Sequence, residues 1–146
     1  MSTVTLVRHG ETAWSAAGRH TGRTDIPLAE AGERKACRVG ERLAAKTFDR
    51  VFASPLQRAM KTCALAGFGD RAVVDPDLIE WDYGDYEGRT SHDIQSERPG
   101  WLIFRDGCPH GETAATSADA STASSPACAP SRIARSCSRA RMCCAS

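Results

Sequence analysis

Apolar and polar positions alternate in blocks along the first half of the chain. Val4, Leu6 and Val7 form a short run of β-formers that breaks at Arg8-His9-Gly10. A run of that length bounded by a turn signal reads as a buried strand and predicts one over residues 3–8. Pro27-Leu28 leads into a mixed apolar and charged stretch that predicts a helix over residues 29–46, and a second strand is expected over residues 50–53. Ser54-Pro55 predicts the start of another helix, with Ser54 as N-cap and Pro55 at the first helical position. A third strand falls at residues 72–74. Strands that alternate with helices predict an α/β fold with a mostly parallel sheet flanked by helices on both faces.

The pattern stops after Thr113. Residues 114–146 hold ten Ala, eight Ser, four Arg and four Cys, a single Ile, and no Leu, Val, Phe, Trp, Tyr or Gly. Such a segment cannot bury enough apolar surface to offset the entropy of ordering it. The sequence therefore predicts a folded part over residues 1–113 and a disordered tail over residues 114–146.

The chemistry concentrates at the end of the first strand. Open α/β sheets bind ligands at the carboxyl ends of their strands, which is where Arg8 and His9 fall. Arg8 offers a fork of donors suited to phosphate oxygens, and a neutral His9 can attack phosphorus. Gly10 allows a close approach of backbone to an anion. Arg-His-Gly alone also fits a strand ending in a polar turn.

Four further segments change the odds: Thr21-Gly22-Arg23-Thr24-Asp25-Ile26-Pro27-Leu28, Ala53-Ser54-Pro55-Leu56-Gln57-Arg58-Ala59, residues 78–88 from Leu78-Ile79-Glu80-Trp81 to Glu87-Gly88, and Gly107-Cys108-Pro109-His110-Gly111-Glu112-Thr113. With them, residues 1–113 resemble the histidine phosphatase superfamily, whose fold is phosphoglycerate mutase-like. Glu80-Trp81-Asp82-Tyr83-Gly84 and Arg105-Asp106-Gly107-Cys108 are most similar to the branch of sedoheptulose-1,7-bisphosphatase-like proteins and bacterial acid phosphatases. Mutases of the family carry paired arginines after the acidic motif, and no such pair stands here, so phosphatase ranks above mutase.

The resemblance implies roles. His9 would be the nucleophile that becomes phosphohistidine, with Arg8 and Arg58 holding the phosphoryl group. Glu80 would be the general acid and base, its pKa raised by burial or by a neighbour such as Asp82. Ser15, Thr21, Gly22 and Tyr83 match substrate-binding positions. Outside this motif, Arg58 would read as a solvated residue in the first turns of a helix, and Glu80 as a surface carboxylate at a strand end. His20, His92 and His110 read as surface or loop residues, and Trp14, Trp81 and Trp101 as packing residues.

Composition adds little to that picture. The chain has 146 residues, is 41% hydrophobic and 25% charged, and carries a net charge of +1. Nothing in it points to nucleic acid or an anionic membrane surface as partner. No signal peptide or membrane-spanning run is read, so a cytoplasmic location is expected. Cys37, Cys63 and Cys108 read as buried thiols. Cys128, Cys137, Cys143 and Cys144 fit no zinc spacing, and the four tail arginines lack interleaved aromatics. The family resemblance implies no cofactor and no metal, and a small phosphorylated metabolite as partner; the oligomeric state is not legible.

The tail has the composition of a GC-rich gene read out of frame. In a neighbouring frame, residues 122–128 permit Asp-Arg-Val-Ile-Ala-Arg-Leu, a helix pattern similar to the family's at that point. Met142-Cys143-Cys144-Ala145 there gives Val-Leu followed by Arg or Cys, where the family carries His-x-Leu-Arg after its second catalytic histidine. Ala140 falls at that histidine and cannot become His by the same shift. The resemblance thus implies that the second catalytic histidine is absent, since none follows His110. The strand that should carry it is also expected to be missing, leaving strand one with an unpaired edge. Little or no activity follows, with a noncatalytic phosphate-binding fragment, or mutase activity in an intact parent, as the alternatives.

Overall fold

A computed structural model of the chain describes residues 3–113 and 141–145. Four parallel strands form its sheet: β1 (Val4–Arg8), β2 (Arg50–Ala53), β3 (Ala72–Val74) and β4 (Arg141–Ala145), in the order β1-β4-β2-β3. The helices are α1 (Ala13–Ala16), α2 (Glu30–Leu43), α3 (Gln57–Leu65), α4 (Ser91–Glu97) and α5 (Ile103–Asp106). The chain divides into two units. Among the described residues, one takes 3–13, 25–79 and 141–145, and the other 14–24 and 80–113.

The first unit is built on the sheet. Side chains alternate across a strand, so Val7, Val51, Ala53, Met142 and Cys144 share one face. There they form a core with Leu43 of α2, Cys63 of α3, and Phe48, Ala66 and Phe68. The amphipathic spacing of α2 explains its docking, because Gly32, Ala36, Val39 and Leu43 recur every three or four residues and turn inward. Cys37 lies off that stripe and is exposed, contrary to the expectation of a buried thiol. On the other face of the sheet Val4, Leu6 and Val73 stay 42%, 74% and 55% exposed.

Two expectations are corrected here. Residues 141–145 are not disordered. They form the central strand β4, in register Val4↔Arg141 to Arg8↔Ala145 on one side and Arg50↔Arg141 to Ala53↔Cys144 on the other. Met142, Cys143 and Cys144 are fully buried, and β1 has a parallel partner where an unpaired edge was expected. Methionine and cysteine are adaptable small-to-medium hydrophobes, so three in a row satisfy a two-faced central strand that a count of Leu and Val overlooks. The remaining tail residues, 114–140 and Ser146, for which disorder was expected, lie outside the described residues. The second correction concerns α3, which begins at Gln57 rather than at Pro55. Its N-cap residue Leu56 provides no side-chain bond, and the cap comes from Asp25, whose Oδ1 accepts from the Gln57 N–H at 2.8 Å.

The second unit holds a smaller core of Tyr86, Ile94, Trp101 and Cys108. Thr90 and Asp93 form a reciprocal capping box that starts α4. The indole N–H of Trp101 donates to the Gly107 carbonyl at 2.9 Å, which satisfies its one polar atom within the core.

Candidate active site

β1 delivers Arg8 and His9 because Val7 is anchored in the core and fixes the phase of the strand, leaving Arg8 exposed and His9 buried at its end. The Nδ1–H of His9 donates to the Gly10 carbonyl at 2.5 Å. The turn that follows presses against α2. A Cβ on Gly10 would lie 2.4 Å from the Gly32 carbonyl oxygen, and one on Gly32 would lie 2.1 Å from that of Glu11. Only paired glycines permit that approach. The Ala29 N–H donates to the Glu11 carbonyl at 2.8 Å, and Lys35 pairs with the Glu11 carboxylate at 2.6 Å.

Arg58, in the first turn of α3, is fully buried, which removes the solvated-helix reading. Its charge and that of Arg8 both act on His9, whose pKa is pushed below 6.5 mainly by burial and further by Arg58 and Arg8, against the opposing hydrogen bond to Gly10. His9 is therefore neutral at pH 7, with the Nε2 lone pair available. The structure thus brings Arg8, His9 and Arg58 together. The sequence did not single out Thr62, also buried, whose hydroxyl accepts from the Gly10 N–H at 3.0 Å and donates to the Arg58 carbonyl at 2.7 Å. Its position one helical turn after Arg58 was the available signal.

The remaining expected residues belong to the second unit. Thr21 and Gly22 are buried, and Ser15, Glu80 and Tyr83 are half-buried. Gly22 packs so closely that a Cβ would lie 2.0 Å from the Trp81 carbonyl oxygen and 2.9 Å from the Tyr83 ring. Glu87 holds this loop, with one carboxylate oxygen accepting from the N–H groups of Gly22 and Arg23, each at 2.9 Å. Arg23 in turn pairs with Asp82 at 3.1 Å. His20 is not a plain surface residue. Its ring stacks on Tyr83 at 4.7 Å and meets the edge of Trp101 at 5.7 Å, and burial lowers its pKa although Glu87 opposes the shift. His92 and His110 are exposed, and His110 pairs with Asp85 at 2.8 Å. Among the described residues no three His, Cys, Asp or Glu side chains converge on a position for a metal ion.

A sequence profile described as the histidine phosphatase superfamily (branch 1) matches residues 4–127. An acid phosphatase of Mycobacterium tuberculosis is 45% identical over 112 residues, covering 75% of this chain and 55% of that protein. The sedoheptulose 1,7-bisphosphatase of Saccharomyces cerevisiae is 42% identical over 132 residues, covering 74% of this chain and 48% of that one. A solved structure of an open reading frame from Mycobacterium tuberculosis superposes with a TM-score of 0.81 at 39% identity, covering 97% of this chain and 72% of that chain. The chain spans about half the length of the curated relatives it matches.

Proposed function

Because the chain belongs to the histidine phosphatase superfamily (branch 1), we propose that it acts on phosphate monoesters of small metabolites, sugar phosphates first among them, through a phosphohistidine at His9. Nε2 of the neutral ring attacks phosphorus while Arg8 and Arg58 hold the phosphoryl oxygens and offset their charge, the term that dominates phosphoryl transfer. Glu80 gives a proton to the departing alkoxide and takes one from the water that later cleaves the phosphorus–nitrogen bond, which restores His9 and releases inorganic phosphate. Thr21, Gly22, Tyr83 and Ser15 bind the substrate. A cytoplasmic location goes with this reading, and no helix among the described residues is long and apolar enough to cross a membrane.

One observation carries the reading. His9 is buried, held neutral and bonded through Nδ1, beside two arginines of which one is itself buried. Two guanidiniums beside a neutral imidazole supply planar donor forks for the oxygens of a phosphate dianion next to a ring nitrogen able to attack it.

Turnover by this chain is slow, on the same reading. The second histidine that the family resemblance implies has no counterpart in β4, whose residues are Arg141, Met142, Cys143, Cys144 and Ala145. A change of reading frame after Thr113 accounts for the composition of the tail, and sequencing the gene in all forward frames beyond the codon of Gly111 tests it.

Phosphoramidate, a small phosphoryl donor, tests the function itself. An acid-labile, base-stable phosphoryl label is expected on the wild-type chain and not on His9→Ala. A chain that binds phosphate but takes no label would be a noncatalytic phosphate-binding module. Hydrolysis of p-nitrophenyl phosphate at the rate of intact relatives would overturn the slow turnover.

A further inference from the structure

We propose that Thr62 is a positioning residue whose hydroxyl ties the His9 loop to the Arg58 turn of α3, so that nucleophile and phosphate clamp are set by one hydrogen-bonded chain. The inference rests on the reading of His9 and Arg58 given above.

The Thr62 hydroxyl has a single proton, and it goes to the carbonyl of Arg58, four residues earlier, at 2.7 Å. This is the back-bond that threonine makes within a helix. With the proton committed, the oxygen can only accept from Gly10, and it takes that N–H at 3.0 Å from 52 residues away. The carbonyl of the same Gly10 accepts from Nδ1 of His9 at 2.5 Å. The chain therefore runs without a break from the Arg58 backbone through Thr62 and Gly10 to the His9 ring. Every step has a fixed direction.

Burial makes the link irreplaceable. Thr62 is 1% exposed and Gly10 is buried, so water has no ready access to the amide if the hydroxyl is lost. An orphaned buried N–H moves to find a partner or stays at a cost. Its movement turns the His9–Gly10 peptide, shifts the adjoining Gly10 carbonyl and releases Nδ1, after which the imidazole proton distributes over both ring nitrogens.

Three measurements test this. In long-range proton–nitrogen NMR spectra, the wild type is expected to show the His9 ring in the Nδ1–H form, Thr62→Val a mixture of tautomers, and Thr62→Ser the wild-type form. Binding of orthovanadate, a phosphate-shaped anion, is expected to weaken about tenfold or more in Thr62→Val and to change by less than about twofold in Thr62→Ser, because the hydroxyl rather than the shape sets the geometry. If Thr62→Val does not fold, amide exchange of the unmodified chain decides: Gly10 should be protected like the sheet amides, and free exchange there overturns the link. An unchanged tautomer in a folded Thr62→Val overturns it as well. A wild type that shows the single tautomer but does not bind orthovanadate would sink the phosphatase reading and leave the link standing.

Discussion

His9 donates from Nδ1 to the carbonyl oxygen of Gly10 at 2.5 Å. A carbonyl only accepts, so the ring carries its proton on Nδ1 and keeps its lone pair on Nε2. The phosphoryl-enzyme should therefore be the isomer substituted at Nε2. Phosphorus NMR of the denatured, base-stabilised adduct, or antibodies that separate the two phosphohistidine isomers, would read this directly. An adduct at Nδ1 would mean that the ring turns over before it reacts.

The depressed pKa of His9 also has a sign for stability. Burial, aided by Arg58 and Arg8, lowers it below the ordinary 6.5, so the unfolded chain binds the proton more readily than the folded one. The stabilising contribution is complete above about pH 6.5 and is lost as the pH falls through the lower folded-state value. His20, lowered by burial among Tyr83 and Trp101, acts in the same direction. Thermal melts are expected to show a decline in Tm below pH 6.5 that His20→Gln makes shallower. A Tm that rises on acidification through this window would contradict the assignment for both rings.

Met142 offers a test of β4. Its side chain is fully buried and packs in the core with Val7, Val51 and Leu43. Truncating a buried methionine costs about 2–5 kcal/mol, so Met142→Ala should shift the urea midpoint by an amount that corresponds to this loss. A disordered tail predicts no shift at all. The two expectations are far enough apart for one unfolding curve to choose between them.

The same residue shows where the sequence was legible. Val4-Thr5-Leu6-Val7 and the mixed apolar and charged stretch after Pro27-Leu28 carry local signals, and the structure follows them within a few residues. Arg8 and His9 were readable because a strand end places them by local rules, whereas Arg58 came only from the family resemblance, its local reading being a solvated helix residue that the structure buries. Thr62 was not readable, since its partner Gly10 lies 52 residues away and no local pattern encodes that bond. Asp25 capping α3 failed for the same reason, because Ser54 was the nearer candidate. β4 was missed because Met142-Cys143-Cys144 has the volume of a core strand without its customary residues.

Gly32→Ala should damage the turn without touching a polar side chain. The added Cβ would sit 2.1 Å from the Glu11 carbonyl oxygen and 2.6 Å from its nitrogen, both backbone atoms that cannot swing aside. Alanine is the better helix former by about 1 kcal/mol, so a helix-propensity argument predicts a gain. Overpacking against backbone costs about 1–3 kcal/mol, and the clash is expected to win. The measurement is urea unfolding of Gly32→Ala beside the wild type, with orthovanadate binding on each. A loss of stability with weakened binding in Gly32→Ala would place the strain at the His9 turn. A gain in stability would mean that α2 slides away from Glu11 at little cost.

Glu87 organises the loop of the second unit by accepting from two consecutive backbone donors, Gly22 and Arg23, with one oxygen. A carboxylate that collects backbone N–H groups behaves like an external cap, and its bonds are stronger than those of a neutral acceptor. Glu87→Ala leaves the buried Gly22 amide without this acceptor, and hydrogen exchange at Gly22 and Arg23 is expected to speed up by at least about tenfold, the equivalent of one lost charge-assisted bond. Glu87→Gln keeps an acceptor oxygen but not the charge, so it should fall between the alanine variant and the wild type. If charge sets the loop, Glu87→Gln will resemble Glu87→Ala; if the acceptor alone suffices, it will resemble the wild type. Unaltered exchange in Glu87→Ala would mean that the close packing of Gly22 on the Trp81 carbonyl holds the loop by itself.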